Sequence, residues 1–158
     1  MSAFLRSASA EDAPDVARVL RASRTRFLPY APPARSEAED LRWVAQSLIP
    51  SGGVTVASVA GRIVGVLAMG ESSGASWITQ LYVEPEHCGT GVGSQLLRAA
   101  LGALPKPIRL YTFQQNVAAR RFYERFGFEA IAFSDGSANE EGCPDVLYEL
   151  AGDLANDA

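Results

Sequence analysis

Apolar residues recur at every second position in some stretches of the chain and at every third or fourth in others, and these two periods predict its elements. Phe4 to Arg6 reads as a short strand. Ser9 with Asp12 three residues on is a capping-box pattern, opening a helix with Val16, Val19 and Leu20 on one face. Pro29, Pro32 and Pro33 exclude a helix from the stretch Phe27 to Arg35. Ser36 and Glu39 repeat the capping pattern before an amphipathic segment carrying Leu41, Val44 and Leu48, and Pro50 with Gly52-Gly53 stops it. Two β-rich runs, Val54 to Ala60 and Ile63 to Met69, flank Gly61-Arg62 and predict a hairpin. A third run, Ser76 to Glu84, ends at Pro85. Helical spacing returns from Gln95 to Leu104, alternation from Ile108 to Phe113, and a helix from Asn116 to Phe126 closed by Gly127. Phe128 to Phe133 and Val146 to Leu150 are strands on either side of a polar loop, Ser134 to Asp145. The order β-α-α-β-β-β-α-β-α-β-β predicts an α/β (α+β) fold, with a mixed, mostly antiparallel sheet of about seven strands flanked by about four helices. No repeat, low-complexity tract or linker divides the chain, so residues 1–158 are expected to form a single domain.

Composition works mainly by exclusion. A net charge of −4 and a pI near 5.0 argue against nucleic acid as a partner. No apolar stretch is long enough to span a bilayer, and the first residues lack an export pattern, so no membrane association and a cytoplasmic setting are expected. Two cysteines and one histidine, His87, leave no metal-ligand framework, so no metal is expected.

Chemistry enters with Leu81-Tyr82-Val83-Glu84-Pro85-Glu86-His87-Cys88-Gly89-Thr90-Gly91-Val92-Gly93-Ser94. A buried strand runs into three glycines at alternate positions, and a helix begins directly after them. Glycines let backbone amides approach a ligand closely, and the helix N-terminus adds free N–H groups and positive dipole, which suits a phosphate or pyrophosphate. A plain turn is the competing explanation. A Walker loop is excluded because no Gly-Lys-Ser/Thr follows. A dinucleotide-binding β-α-β unit fits poorly, since three antiparallel-looking strands precede the motif and no acidic residue ends the next strand.

One strand later comes Asn116-Val117-Ala118-Ala119-Arg120-Arg121-Phe122-Tyr123, ending in Phe126-Gly127-Phe128. Asn116 and Tyr123 are separated by close to two helical turns and share a face. Each alone reads as an N-cap and a core-edge aromatic. Together, these two segments resemble the cofactor motifs of the GNAT superfamily of acyl-CoA-dependent N-acyltransferases, and the strand and helix order resembles that fold over essentially the whole chain.

The resemblance implies an N-acetyltransferase that moves the acetyl group of acetyl-CoA onto a primary amine; a non-catalytic acyl-CoA-binding regulatory module on the same fold is the alternative. It further implies that the backbone of Leu81, Tyr82 and Val83 binds pantetheine like an added strand, and that amides of Cys88, Gly89, Thr90, Gly91, Val92, Gly93 and Ser94 hold the pyrophosphate. Asn116 is implied to touch pantetheine, and Tyr123 to protonate the leaving thiolate. Cys88 departs from the family's usual Gln or Arg, which implies weaker cofactor affinity. Glu71 and Glu84 are the candidate bases, each weighed against a surface carboxylate. His87 reads as a solvated turn residue. The resemblance implies a small-molecule or peptide amine acceptor walled by Arg24, Arg26, Phe27 and Tyr30, while Asp135, Glu140, Glu141 and Asp145 read either as a cluster able to attract a cation or as a solvated acidic loop. A homodimer is compatible with all of this.

Overall fold

The computed structural model describes residues 2–27, 35–139 and 141–152. Strand β1 is Phe4–Ser7, and a short 3-10 turn at Ala10–Asp12 leads into helix α1, Ala13–Phe27. The backbone N–H of Ser9 donates to the Asp12 carboxylate at 2.7 Å, so the first capping pattern does start this helix. Helix α2, Glu37–Trp43, opens with the reciprocal pair that its sequence predicts: Glu39 N–H donates to Ser36 Oγ at 3.2 Å, and Ser36 N–H to Glu39 Oε1 at 3.0 Å. The helix widens into a π turn at Val44–Leu48, where Ile49 N–H reaches back to the Val44 carbonyl.

Strands β2 (Val54–Val59), β3 (Arg62–Ser72) and β4 (Ala75–Val83) form an antiparallel meander. The first hairpin turns at Ala60 and Gly61, both at positive φ, one residue earlier than the Gly61-Arg62 turn expected from the pattern. Helix α3 is Val92–Ala103, β5 is Ile108–Phe113, α4 is Val117–Arg125, β6 is Glu129–Ser134 and β7 is Asp145–Leu150. The sheet has seven strands in the order β1-β2-β3-β4-β5-β7-β6, and β4–β5 is the parallel pair within it.

Both faces of the sheet are covered. Val16, Val19 and Leu20 of α1, with Val44 and Leu48, pack on Val54, Val56 and Val66. On the opposite face Leu96, Leu97 and Ala100 of α3, with Tyr123 and Phe128, pack on Leu67, Ile108 and Leu110. Central β3 supplies both clusters, which is why Ile63 to Ala68 is one unbroken apolar run. Helix α3 rests directly on Gly65, where a Cβ would stand 2.9 Å from Leu96 Cδ1. That contact fixes the height of the glycine loop above the sheet. None of the described helices is long and apolar enough to cross a membrane.

Candidate active site

Strands β4 and β5 are hydrogen-bonded at only one end. Ser76 pairs with Ile108 and Trp77 with Arg109, and the ladder then stops. The joined end is pinned by Ser76, whose N–H donates to the Pro107 carbonyl at 3.0 Å and whose Oγ donates to the Pro105 carbonyl at 2.6 Å. Immediately beyond, β4 carries a bulge: its β3 register jumps from Gln80↔Ala68 to Ile78↔Met69, leaving Thr79 unmatched. A bulge bends its strand. From there β4 diverges, and the β5-facing backbone of Ile78–Val83 lies along an open cleft in the middle of the sheet.

A cavity of about 520 Å³ occupies this cleft. It is lined by Leu81, Tyr82 and Val83 of β4, by Cys88, Gly89, Gly91, Gly93 and Ser94 of the glycine loop, and by Asn116 and Tyr123 of the α4 segment. Two of the loop residues expected here do not line it. Val92 is buried in the core, and Thr90 donates its hydroxyl to the His87 carbonyl. Gly89 and Gly91 lie at φ of 80° and 93°, in left-handed backbone that favours glycine, and Gly91 caps α3. Cys88 N–H and Thr90 N–H bond to the Pro85 and His87 carbonyls at 3.2 and 3.3 Å, so those two amides are spent within the turn. Gln95 N–H makes the first helical bond, to the Gly91 carbonyl. The amides of Gly89, Gly91, Val92, Gly93 and Ser94 are left without backbone partners among the described residues, the usual condition of a helix's first turn. They form a donor set for a dianion, narrower than the continuous run from Cys88 to Ser94 expected above.

Asn116 combines two roles. Its Oδ1 accepts from Ala119 N–H at 3.2 Å, as an N-cap, and the residue also lines the cavity. Tyr123 is 8% exposed, with its ring edge-on to Phe122 and Phe128 at centroid distances of 5.3 and 5.8 Å. Among the described residues its hydroxyl has no hydrogen-bond partner. Burial, with a smaller contribution from Tyr82, pushes its phenol well above the ordinary value of 10.0. The group is therefore a proton donor, never an anion, at any physiological pH.

The two candidate bases fare differently. Glu84 is buried, and its carboxylate accepts from the guanidiniums of Arg18 and Arg62, the latter also through Nε at 3.2 Å. These cations, Arg62 first, hold its pKa below the usual value. It lines neither cavity and ties α1 and β3 to the root of the glycine loop. Glu71 sits opposite Ser76 at the hairpin end of β3, exposed and outside both cavities. Neither placement gives a free acceptor beside the cleft. His87, expected in solvent, lines the cleft instead; its Nδ1 is buried without a hydrogen-bond partner, 3.6 Å from Glu84 Oε2. The i,i+3 spacing of Glu84 and His87 across a 3-10 turn was the available signal. Glu84, Glu86 and His87 present ligand atoms within 4.8 Å of one another. Two guanidiniums already occupy the Glu84 oxygens, a poor setting for a metal ion.

A second cavity, of about 640 Å³, opens on the α1–α2 side. Arg24, Asp40, Trp43, Tyr111, Glu141 and Asp145 are among its lining residues. Asp40 is paired with Arg21 at 2.6 Å and Glu141 with Arg24 at 3.4 Å. Asp145 accepts from Ser134 Oγ at 2.6 Å and Asn139 Nδ2 at 3.2 Å, and no cation pairs with it among the described residues. Of the acidic residues expected near an acceptor, Glu141 and Asp145 reach this chamber; Asp135 instead accepts from Ser137 N–H, and Glu140 lies outside the described residues. Arg24 lines the chamber and Phe27 the cleft, Arg26 lines neither, and Tyr30 also lies outside the described residues. Among the described lining residues, Tyr82 is common to the two cavities.

Residues 50–130 match the family model described as the acetyltransferase (GNAT) domain, just over half of the chain. Over 62 residues the chain is 32% identical to the spermine/spermidine N(1)-acetyltransferase of Bacillus subtilis, an alignment covering 36% of this chain and 41% of that protein. The chain thus spans well under half the length of the curated relatives it matches. Among solved structures, the PaiA N-acetyltransferase of Thermoplasma acidophilum in complex with coenzyme A superposes with a TM-score of 0.78 at 22% identity, over 96% of this chain and 100% of that one. The ribosomal-protein-S18-alanine N-acetyltransferase of Escherichia coli superposes at 0.73 with 15% identity, over 94% and 93%. At such identities these two establish the fold, while the sequence match carries the family. The split sheet, the glycine loop with its free amides and that match agree: the chain belongs to the GNAT acetyltransferase family.

Proposed function

We propose that this protein transfers the acetyl group of acetyl-CoA directly to a primary amine held in the 640 Å³ chamber. The observation carrying this is the open inner edge of β4, which ends at a set of unpaired loop amides. An extended amide-bearing arm can pair with the β4 backbone at Leu81–Val83, and a pyrophosphate suits the amides of Gly89, Gly91 and Val92–Ser94. Bound there, acetyl-CoA supplies an activated thioester. The protein supplies position and the Tyr123 hydroxyl as a hydrogen-bond donor toward the sulfur. Transfer of the Tyr123 proton to a thiolate is uphill, since a thiol has a pKa near 8.5 against about 10 for a phenol before burial widens the gap. Donation without transfer fits better than the outright protonation that the family resemblance implies.

Coenzyme A is expected to raise the Tm by roughly 5–10 °C at about 100-fold excess over its Kd, because binding to the folded state alone contributes about 2.7 kcal/mol at that excess. NAD and ATP should leave the Tm within about 1 °C. An equal shift with NAD in a thermal melt contradicts the assignment. Thiol release in an amine panel separates the enzyme from a non-catalytic acyl-CoA-binding module, which would bind and release nothing.

The acceptor is proposed to carry a second cationic group. Asp40 and Glu141 are paired with arginines, whereas the Asp145 carboxylate in the chamber wall accepts from the neutral donors Ser134 Oγ and Asn139 Nδ2 and has no ion pair among the described residues. Asp145→Asn should raise the KM for diamines about three- to ten-fold, the size of a partly exposed ion pair, and leave monoamines nearly unchanged. The difference should shrink in 0.5 M salt. If monoamines and diamines lose equally, Asp145 serves only to order its loop.

A further inference from the structure

The reacting nitrogen must stand where the acceptor chamber meets the cofactor cleft, and the residue common to both linings is Tyr82. Its ring packs with the α1–α2 cluster, on the opposite face of the sheet from Tyr123. No hydrogen bond to its hydroxyl is formed among the described residues. The charges it feels locate the phenol: Arg24 of α1, Asp40 of α2 and Glu141 of the loop before β7, all in the chamber wall, while Tyr123 of α4 in turn feels Tyr82 from the cleft. A phenol without a hydrogen-bond partner among the described residues thus lies where the two cavities meet, and the two carboxylates that face it, Asp40 and Glu141, are each already paired with an arginine.

We infer that the Tyr82 side chain is a catalytic residue: its hydroxyl relays the proton that the acceptor ammonium must lose before it can attack. This rests on the acetyl-transfer reading above. Burial holds the phenol neutral, and of the facing charges Glu141 and Asp40 act in the same direction while Arg24 opposes them. Tyr82 is therefore no stored base. It exchanges one proton for another: the oxygen accepts an ammonium N–H while its own proton passes to water in the open chamber. The neutral nitrogen then forms the C–N bond to the acetyl carbonyl carbon. The C–S bond breaks with its electron pair on sulfur, and the nitrogen's surplus proton ends on the thiolate. One ammonium and one thioester give one amide, one thiol and one released proton.

The test compares wild type and Tyr82→Phe on an amine that wild type acetylates, reading kcat/KM for the amine at pH 7 and pH 10. At pH 7 the variant should lose about a hundredfold, the low end for a proton-transfer group. At pH 10, near the amine's own pKa, a large fraction of the amine is already neutral in solution, and the loss should fall below about threefold. A loss from disturbed packing would be the same at both pH values, and that result overturns the relay, as does undiminished activity at pH 7. The Tm and the KM for acetyl-CoA should stay at wild-type values. Should the Phe variant fold poorly, 3-fluorotyrosine at position 82 keeps ring and hydroxyl with a more acidic phenol. Its kcat/KM at pH 7, where the relay carries the proton, should then differ from wild type while the value at pH 10 does not, and the same ratio to wild type at both pH values overturns the relay equally. A wild-type protein that releases no thiol with any amine overturns acetyl transfer itself, a failure distinguishable from wild-type activity combined with a silent Tyr82→Phe.

Discussion

Gly91→Asp is expected to weaken coenzyme A binding by at least a hundredfold while leaving the protein folded. A Cβ at position 91 meets nothing within 4 Å, so no neighbour has to move. The cost to the free protein is the left-handed backbone at φ 93°, about 1–2 kcal/mol for a residue with a Cβ, partly offset by a carboxylate at the positive end of α3. The cost to the complex is larger, because a fixed negative charge enters the donor set proposed to hold the pyrophosphate. Two like charges 4 Å apart repel by about 4 kcal/mol at the effective dielectric of a protein surface, and the pyrophosphate carries two. Gly91→Ala isolates the backbone contribution and should lose no more than about tenfold. Titration calorimetry on both variants checks the difference, and an Asp variant binding as tightly as wild type would place the phosphates elsewhere.

The second large effect is Tyr123→Phe, which should lower kcat about ten- to a hundredfold with the KM for acetyl-CoA close to wild type. A hydrogen bond to a charged or charging atom contributes about 1.5–3 kcal/mol, and that range sets the factor. Because the hydroxyl has no partner in the described structure, its removal orphans no buried group. The ring contacts with Phe122 and Phe128 persist, so the Tm should stay within about 2 °C. Rapid-quench or burst measurements must first show that chemistry limits turnover. If it does and the variant retains full kcat, Tyr123 is a packing residue only.

The chemistry-bearing segments were legible because each depends on local backbone needs. Alternate glycines before a helix announce left-handed turns and free amides, and the sequential order of strands and helices follows from period alone. Long-range geometry was not legible. Nothing near Thr79 marks it as unmatched, because a bulge is defined by a partner strand, and the split between β4 and β5 follows from that bulge. Glu84 looked like a free carboxylate because Arg18 and Arg62, which bind it, lie 66 and 22 residues away in sequence. Tyr82 looked like one backbone position among three, and only the meeting of two cavities at this residue distinguishes it from Leu81 and Val83.

The split also bears on which edges of the sheet another chain can reach. Sheets are most vulnerable where a row of peptide groups faces outward, since another chain can extend them there. The true rims are modest: β1 has four residues, and β6 is interrupted by a bulge at Ile131. Beyond Trp77, six residues of β4 leave their β5-facing side without a strand neighbour, in the interior of the sheet, walled by α1 on one side and α4 on the other. A slot in that position admits something one chain thick and excludes a second folded molecule. The fold thereby keeps an adhesive edge available to a slender ligand while denying it to other proteins.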